Sequence, residues 1–253
     1  MPTDPAFYLF AIPAVVLIGL AKGGFSGLGA LGTPLMALGM ADPVRAAAIL
    51  LPILIVQDVV AVAAFRKSWD RSVLAAMLPG AMVGIGLGYL LAAKISAAGV
   101  MAALGAISIL FGAYRLWVER GAGIAALSTS PPWVGTLFGV AAGFTSQIAH
   151  AGGPPFQMWV MPKRLDRDVL VGTSAIFFAI VNWMKVPAYL ALGQFTKENA
   201  IATAVLLPVA VLASIAGVKL VRKVATGKFY TIVYTLMIVA GAKLLLDGLG
   251  LSG

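Results

Sequence analysis

An all-α polytopic membrane protein is the fold class this sequence predicts. It is built as two inverted repeats of five segments, each repeat opening with a short broken or re-entrant helix pair. Three observations predict it. Of 253 residues, 61% are hydrophobic and only 11% charged, with a mean hydropathy of +1.00, far above a soluble globular average. The apolar runs are long and unbroken, not the alternating ten-residue strands of a transmembrane barrel. Two glycine- and proline-rich stretches, about 121 residues apart, interrupt the apolar pattern at matching places. Paired interruptions of this kind are where inverted-repeat transporters build their cargo sites.

The first segment, roughly 7–21, follows Met1-Pro2-Thr3-Asp4-Pro5, which has no basic region and so does not read as a signal peptide. It ends at Ala21-Lys22-Gly23-Gly24-Phe25-Ser26-Gly27. The second, roughly 28–40, carries Gly32-Thr33-Pro34 near its start. Both fall short of the roughly 20 residues a span requires. Segments three to five, roughly 44–65, 73–92 and 99–117, are long enough, and they complete a first repeat over 7–117. Residues 118–131, rich in Gly, Ser and Pro, read as a cytoplasmic connector. The second repeat, 132–249, opens with two short segments, roughly 132–147 and 151–161. They meet at Gly143-Phe144-Thr145-Ser146-Gln147-Ile148-Ala149-His150-Ala151-Gly152-Gly153-Pro154-Pro155. Three long segments follow, roughly 168–192, 199–218 and 229–249.

The halves align with few gaps. Gly32-Thr33-Pro34 falls on Gly153-Pro154-Pro155, Gln57-Asp58 near Asn182-Trp183, Leu78-Pro79 on Leu207-Pro208, and Gly88 on Gly217. Five segments per half, or three spans and a re-entrant pair, force the second half to enter with opposite orientation. The charges agree. Threaded this way, Arg66, Lys67, Arg71, Arg115, Arg120, Lys163, Arg164, Arg167, Lys219, Arg222, Lys223 and Lys228 lie on one side, and Arg45, Lys94, Lys197 and Lys243 on the other. The basic side is expected to face the cytoplasm, with both termini periplasmic or extracellular. The net charge of +9 therefore belongs to loops, not to a nucleic-acid surface. A multi-pass membrane location follows.

Polar groups inside the apolar segments are few. A charge at mid-bilayer costs roughly 2.5–3.5 kcal/mol on the lenient insertion scale, so each needs a purpose or a partner. Lys22 at the first interruption binds an anion or pairs with Asp58. Asp58, the sole acid inside a span, carries a coupling proton or is a fixed partner for Lys22 or Lys185. Asn182 and Lys185 share a helix face; an amide and an ammonium there suit an oxyanion, or they serve interhelical bonding. His150, the single histidine, couples protons or is a satisfied structural residue. Ser26, Thr33, Thr145, Ser146 and Gln147 bind cargo, cap the half-helices, or both. Gly23, Gly24, Gly32, Gly152 and Gly153 let backbone approach closely. Pro34, Pro154 and Pro155 mark the helix breaks, Pro34 and Pro155 suiting a first helical turn, where a helix dipole and two lysines would favour a small anion. The stripe Gly80, Gly84, Gly88 reads as tight helix packing; a homodimer through that face is one arrangement it allows.

Ala21-Lys22-Gly23-Gly24-Phe25 through Gly32-Thr33-Pro34, Gly152-Gly153-Pro154-Pro155, and Asn182 with Lys185 resemble the sulfite exporter TauE/SafE family of anion permeases. The resemblance covers essentially the whole chain. It implies a secondary transporter for sulfite or small organosulfonates, commonly exporting them, with the matching residues forming the two halves of the site. The chain has no cysteine, so thiol-dependent thiosulfate import is excluded. No nucleotide-binding signature occurs, so the driving force is an ion gradient, with protons the candidate, or the anion's own gradient in an uncoupled uniporter. No cofactor is expected, and one histidine with one buried acid makes no metal site. Gly24-Phe25-Ser26-Gly27 also fits the nucleophile pattern of intramembrane serine proteases, with His150 as base. Against an enzyme, no second histidine or oxyanion-hole constellation accompanies it.

Overall fold

The computed structural model describes residues 5–23, 28–40, 42–92, 94–119, 121, 130–220 and 227–251. Gly24 and Ser26 lie outside the described residues, as does most of the 118–131 connector. Ten α-helices account for nearly all the described residues, and none of those residues forms a strand. In order they are α1 (Pro5–Lys22), α2 (Gly32–Met40), α3 (Pro43–Phe65), α4 (Arg71–Ala92) and α5 (Ala97–Glu119), then α6 (Pro132–Ala149), α7 (Gly153–Val160), α8 (Arg167–Ala191), α9 (Lys197–Leu220) and α10 (Gly227–Gly248). A 3₁₀ turn, Leu28–Leu31, runs directly into α2, and another, Met161–Lys163, follows α7. Among the described residues, six helices are long and apolar enough to cross a bilayer, in α1, α3, α4, α5, α8 and α9. The chain is a multi-pass helical membrane protein.

The short helices turn back on their predecessors. Phe10 of α1 lies against Gly39 of α2, and Ile18 lies against Gly32. Gly135 of α6 lies against Trp159 of α7, and Ser146 lies against Gly152. Both pairs are therefore antiparallel hairpins. At a rise of about 1.5 Å per residue, α2 and α7 are only about 12–14 Å long, too short to cross alone.

Glycine sets how close the helices come. A Cβ on Gly80 would sit 2.0 Å from the Thr136 carbonyl oxygen, and one on Gly84 would sit 2.0 Å from that of Val140. The small face of α4 is thus occupied by α6 of the same chain and is closed to a second copy. Gly23 does the same for α1 on α9, where a Cβ would meet Gly217 at 2.0 Å. α5 lies antiparallel along α10, through Gly105 and Gly112 on one side and Gly241 on the other. α3 packs antiparallel on α8, with Asp58 opposite Asn182 and the Ala47–Leu51 turn opposite Tyr189.

Two polar clusters mark the two faces. At one, the Asp70 N–H donates to Thr173 Oγ1 at 2.8 Å, tying the α3–α4 loop to the start of α8. Asp70 also caps α4. The Ser72 hydroxyl, above all, and the N–H groups of Val73 and Ser72 donate to its carboxylate and hold it below its ordinary pKa. This is the basic face, with Arg66, Lys67, Lys163 and Arg164 nearby in sequence. At the opposite face, Arg45 of α3 donates to Asn199 Oδ1 at 2.9 Å and to Glu198 Oε2 at 3.0 Å, at the start of α9. Arg115 departs from its expected loop position. It is buried between α5 and α10, donating to the Tyr234 hydroxyl at 3.1 Å. Exposed apolar side chains such as Leu87, Leu110, Leu137 and Leu212 present the outer surface to lipid, and Trp117 and Trp133 are exposed toward the basic end.

Candidate functional site

A cavity of about 120 Å³ lies between the two hairpins, α3 and α8. Ile18, Leu54, Phe156 and Phe178 form much of its wall. Its polar lining is Lys22, Ser146, His150, Gln157, Ser174 and Asn182. Each helix delivers its group for a local reason. Lys22 ends α1, where the interruption releases the chain. Ser174, Phe178 and Asn182 recur every four residues and so share one stripe of α8.

The charges form one connected network. Lys22 Nζ pairs with Asp58 Oδ1 at 2.5 Å, and the Asn182 amide donates to Asp58 Oδ2 at 2.6 Å. Lys185 is fully buried. Its ammonium donates to the carbonyl and hydroxyl oxygens of Ser146 at 3.2 and 3.1 Å, and it lies 2.6 Å from His150 Nδ1. His150 Nε2 lies 2.8 Å from the Ala47 carbonyl oxygen. A carbonyl only accepts, so Nε2 carries a hydrogen. With the ammonium donating, Nδ1 is the acceptor and the ring is neutral. Two lysines and one carboxylate thus converge at the cavity.

His150 occupies an unusual place. It closes α6 in a left-handed conformation, φ 52° and ψ 24°, with its N–H on Ser146 O. A side chain with a Cβ is disfavoured there by about 1–2 kcal/mol relative to a right-handed residue. Two hydrogen bonds and a stack on Tyr189, with ring centroids 6.0 Å apart, hold it in place.

The residues expected at the site divide into three groups. Lys22, Ser146, His150, Gly153, Pro154 and Asn182 line the cavity. Asp58 and Lys185 sit one layer behind, reaching it through Lys22, Asn182, Ser146 and His150. The other expected residues that the structure describes stand elsewhere. Gly32 packs against Ile18, and Thr33 is buried with its hydroxyl unpartnered. Pro34 follows a continuous 3₁₀ turn, so no free helix start forms there. Gly23 is a packing contact with α9, and Thr145 bonds back to the Ala141 carbonyl at 2.8 Å. Gln147 lines a separate small cavity, and Gly152 packs against Ala142, Ser146 and Phe178. Gly29 and Ala30 line the main cavity where Gly32 and Thr33 were expected.

The helix-dipole expectation also changes at α7. Pro154 and Pro155 have no N–H, and the Phe156 N–H is already on Gly152 O. Gly153 is the only one of the first three helical residues with an N–H at all. A Cβ on Gly153 would meet nothing within 4 Å, consistent with open cavity in front of it. Side chains therefore supply more of the polar groups around the cavity than backbone does. Two of them, Gln157 and Ser174, were not singled out by sequence. Gln157 Oε1 is buried and has no partner.

A multi-pass helical bundle with a partly enclosed cavity between two hairpins, lined by lysine, amide and hydroxyl groups, fits the class of membrane transporters. The chain belongs to the sulfite exporter TauE/SafE family, whose model matches residues 11–244. No curated protein and no solved structure matches it.

Proposed function

We propose that this protein is a secondary transporter of a small sulfur oxyanion, sulfite or an organosulfonate, exporting it across the bacterial inner membrane. The observation that carries this reading is the convergence of two buried lysines, Lys22 and Lys185, with a single acid, Asp58, at the cavity among the described residues. A buried charge left unpaired is strongly unfavourable, and an anion in the cavity supplies the missing partner. Lys22, Asn182, Ser146, Gln157 and Ser174 would take its oxygens, with Lys185 acting from behind. Asp58 and His150 would carry the coupling proton.

The packing supports two inverted repeats, 7–117 and 132–249, joined by the 118–131 connector. α1 lies on α9 while α6 lies on α4, and α3–α8 and α5–α10 pair with each other. That is the exchange a two-fold relation between halves produces. Positive-inside bias places the basic face in the cytoplasm. The protease alternative loses support because both ring nitrogens of His150 are already engaged.

Radiolabelled sulfite flux into proteoliposomes tests the proposal, with and without a pH gradient and with sulfoacetate, sulfate and thiosulfate as competitors. We expect flux that follows the pH gradient and is blocked by a sulfonate. Absence of flux for every anion, in vesicles holding folded protein, would overturn it. Asp58→Asn with His150→Ala should lose the response to the gradient; a full response would clear both residues of the coupling role.

A further inference from the structure

A second, smaller cavity of about 40 Å³ lies beyond the first. Its lining includes Ala47, Ala92, Val100, Gln147, Tyr189 and Gln194. Ala47, Ala92, Val100 and Tyr189 belong to the start of α3, the end of α4, the start of α5 and the end of α8, while Gln147 is in the last turn of α6 and Gln194 in the loop after α8. All four helix ends lie at the face opposite the basic loops, the face joined by Arg45 to Asn199 and Glu198. The main cavity instead runs toward the basic face, where Met161, Leu170 and Val171 line it.

The partition between them is thin. Ser146 lines the main cavity and the next residue, Gln147, lines the small one. His150 lines the main cavity, and the ring it stacks on, Tyr189, lines the small one. His150 Nε2 bonds the carbonyl of Ala47, itself a lining residue of the small cavity. Tyr189 closes the partition by donating to Gln147 O at 3.2 Å. The last turn of α6 and the side-chain contacts made to it form this wall. On the far side, Gln147 Oε1 is buried without a partner.

We propose that the small cavity is the opposite-face vestibule of the transport path, and that the stacked His150–Tyr189 pair is the shutter between the two. This rests on the transporter reading above. Swinging His150 off Ala47 joins the cavities. The same motion frees Lys185 from His150, so the shutter and the cationic charge move together.

The chain has no cysteine, so single-cysteine variants can be labelled without background. Ser174→Cys probes the main cavity and Ala103→Cys, a lining position on α5, the small one, using a membrane-impermeant methanethiosulfonate on vesicles of each orientation. We expect Ser174→Cys to react only from the basic face and Ala103→Cys only from the other. Adding His150→Gly, which suits the left-handed backbone, should raise the basic-face reaction of Ala103→Cys at least about tenfold; Tyr189→Ala is a second way to open the same wall. Reaction of both probes from one face, or no gain in either opened variant, would overturn the proposal. Labelling is read without flux. Correct sidedness in a protein that moves no anion would uphold the two vestibules and overturn the cargo reading instead.

Discussion

At His150 the backbone is left-handed, with φ 52°, and glycine would sit there without strain. The side chain must therefore contribute more than it costs. This gives a graded expectation. His150→Ala loses both hydrogen bonds and keeps the strain, whereas His150→Gly loses the bonds and the strain together. Thermal melts in detergent should place His150→Gly about 1 kcal/mol above His150→Ala. The reverse order would mean the backbone strain is not real. At Asp58, Asp58→Asn keeps an oxygen for Asn182 but leaves Lys22 unpaired. Breaking a buried pair costs about 3–5 kcal/mol. The double change with Lys22→Met should cost clearly less than the two single changes summed, read from the same melts. Lys22, Asp58 and Lys185 were legible because a charge in an apolar run is conspicuous. Ser174 and Gln157 were not, because a hydroxyl can bond back within its own helix and one amide in a short helix attracts no notice.

Among the elements, α4 and α6 offer a matched pair of tests. A Cβ on Gly84 would clash with Val140 O at 2.0 Å, while one on Gly86 would meet nothing within 4 Å. Gly84→Ala should lose about 1–3 kcal/mol; Gly86→Ala on the same helix should stay within about 0.5 kcal/mol. Equal melting of the two would contradict the α4–α6 contact. The helices themselves were readable because apolar length against a bilayer is a strong signal. The expected segment at 44–65 is the helix Pro43–Phe65, and that at 73–92 is Arg71–Ala92. The hairpin interiors were less readable. Proline was expected to open a donor-rich helix start, yet the Leu28–Leu31 turn feeds straight into α2, and two adjacent prolines strip the start of α7 of donors. Sequence also left the small face of α4 free for a dimer, because a glycine stripe does not say which helix fills it.

For the whole molecule, the face to which each loop belongs is the property to establish. Lys94→Cys and Lys67→Cys lie in loops at opposite faces. An impermeant thiol reagent added to intact cells should label Lys94→Cys and spare Lys67→Cys; the opposite pattern would invert the orientation. Positive charge at the cavity is the central claim, and Lys185 is where it can be removed while the Lys22–Asp58 pair stays intact. Lys185→Met keeps the length and apolar stem of the side chain and leaves Lys22 with Asp58. The most direct measurement is sulfite flux into proteoliposomes holding equal amounts of folded wild-type and Lys185→Met protein. Loss of a charged hydrogen-bond partner predicts a fall of about 10- to 100-fold. Flux by Lys185→Met at the wild-type rate would contradict a cationic anion site.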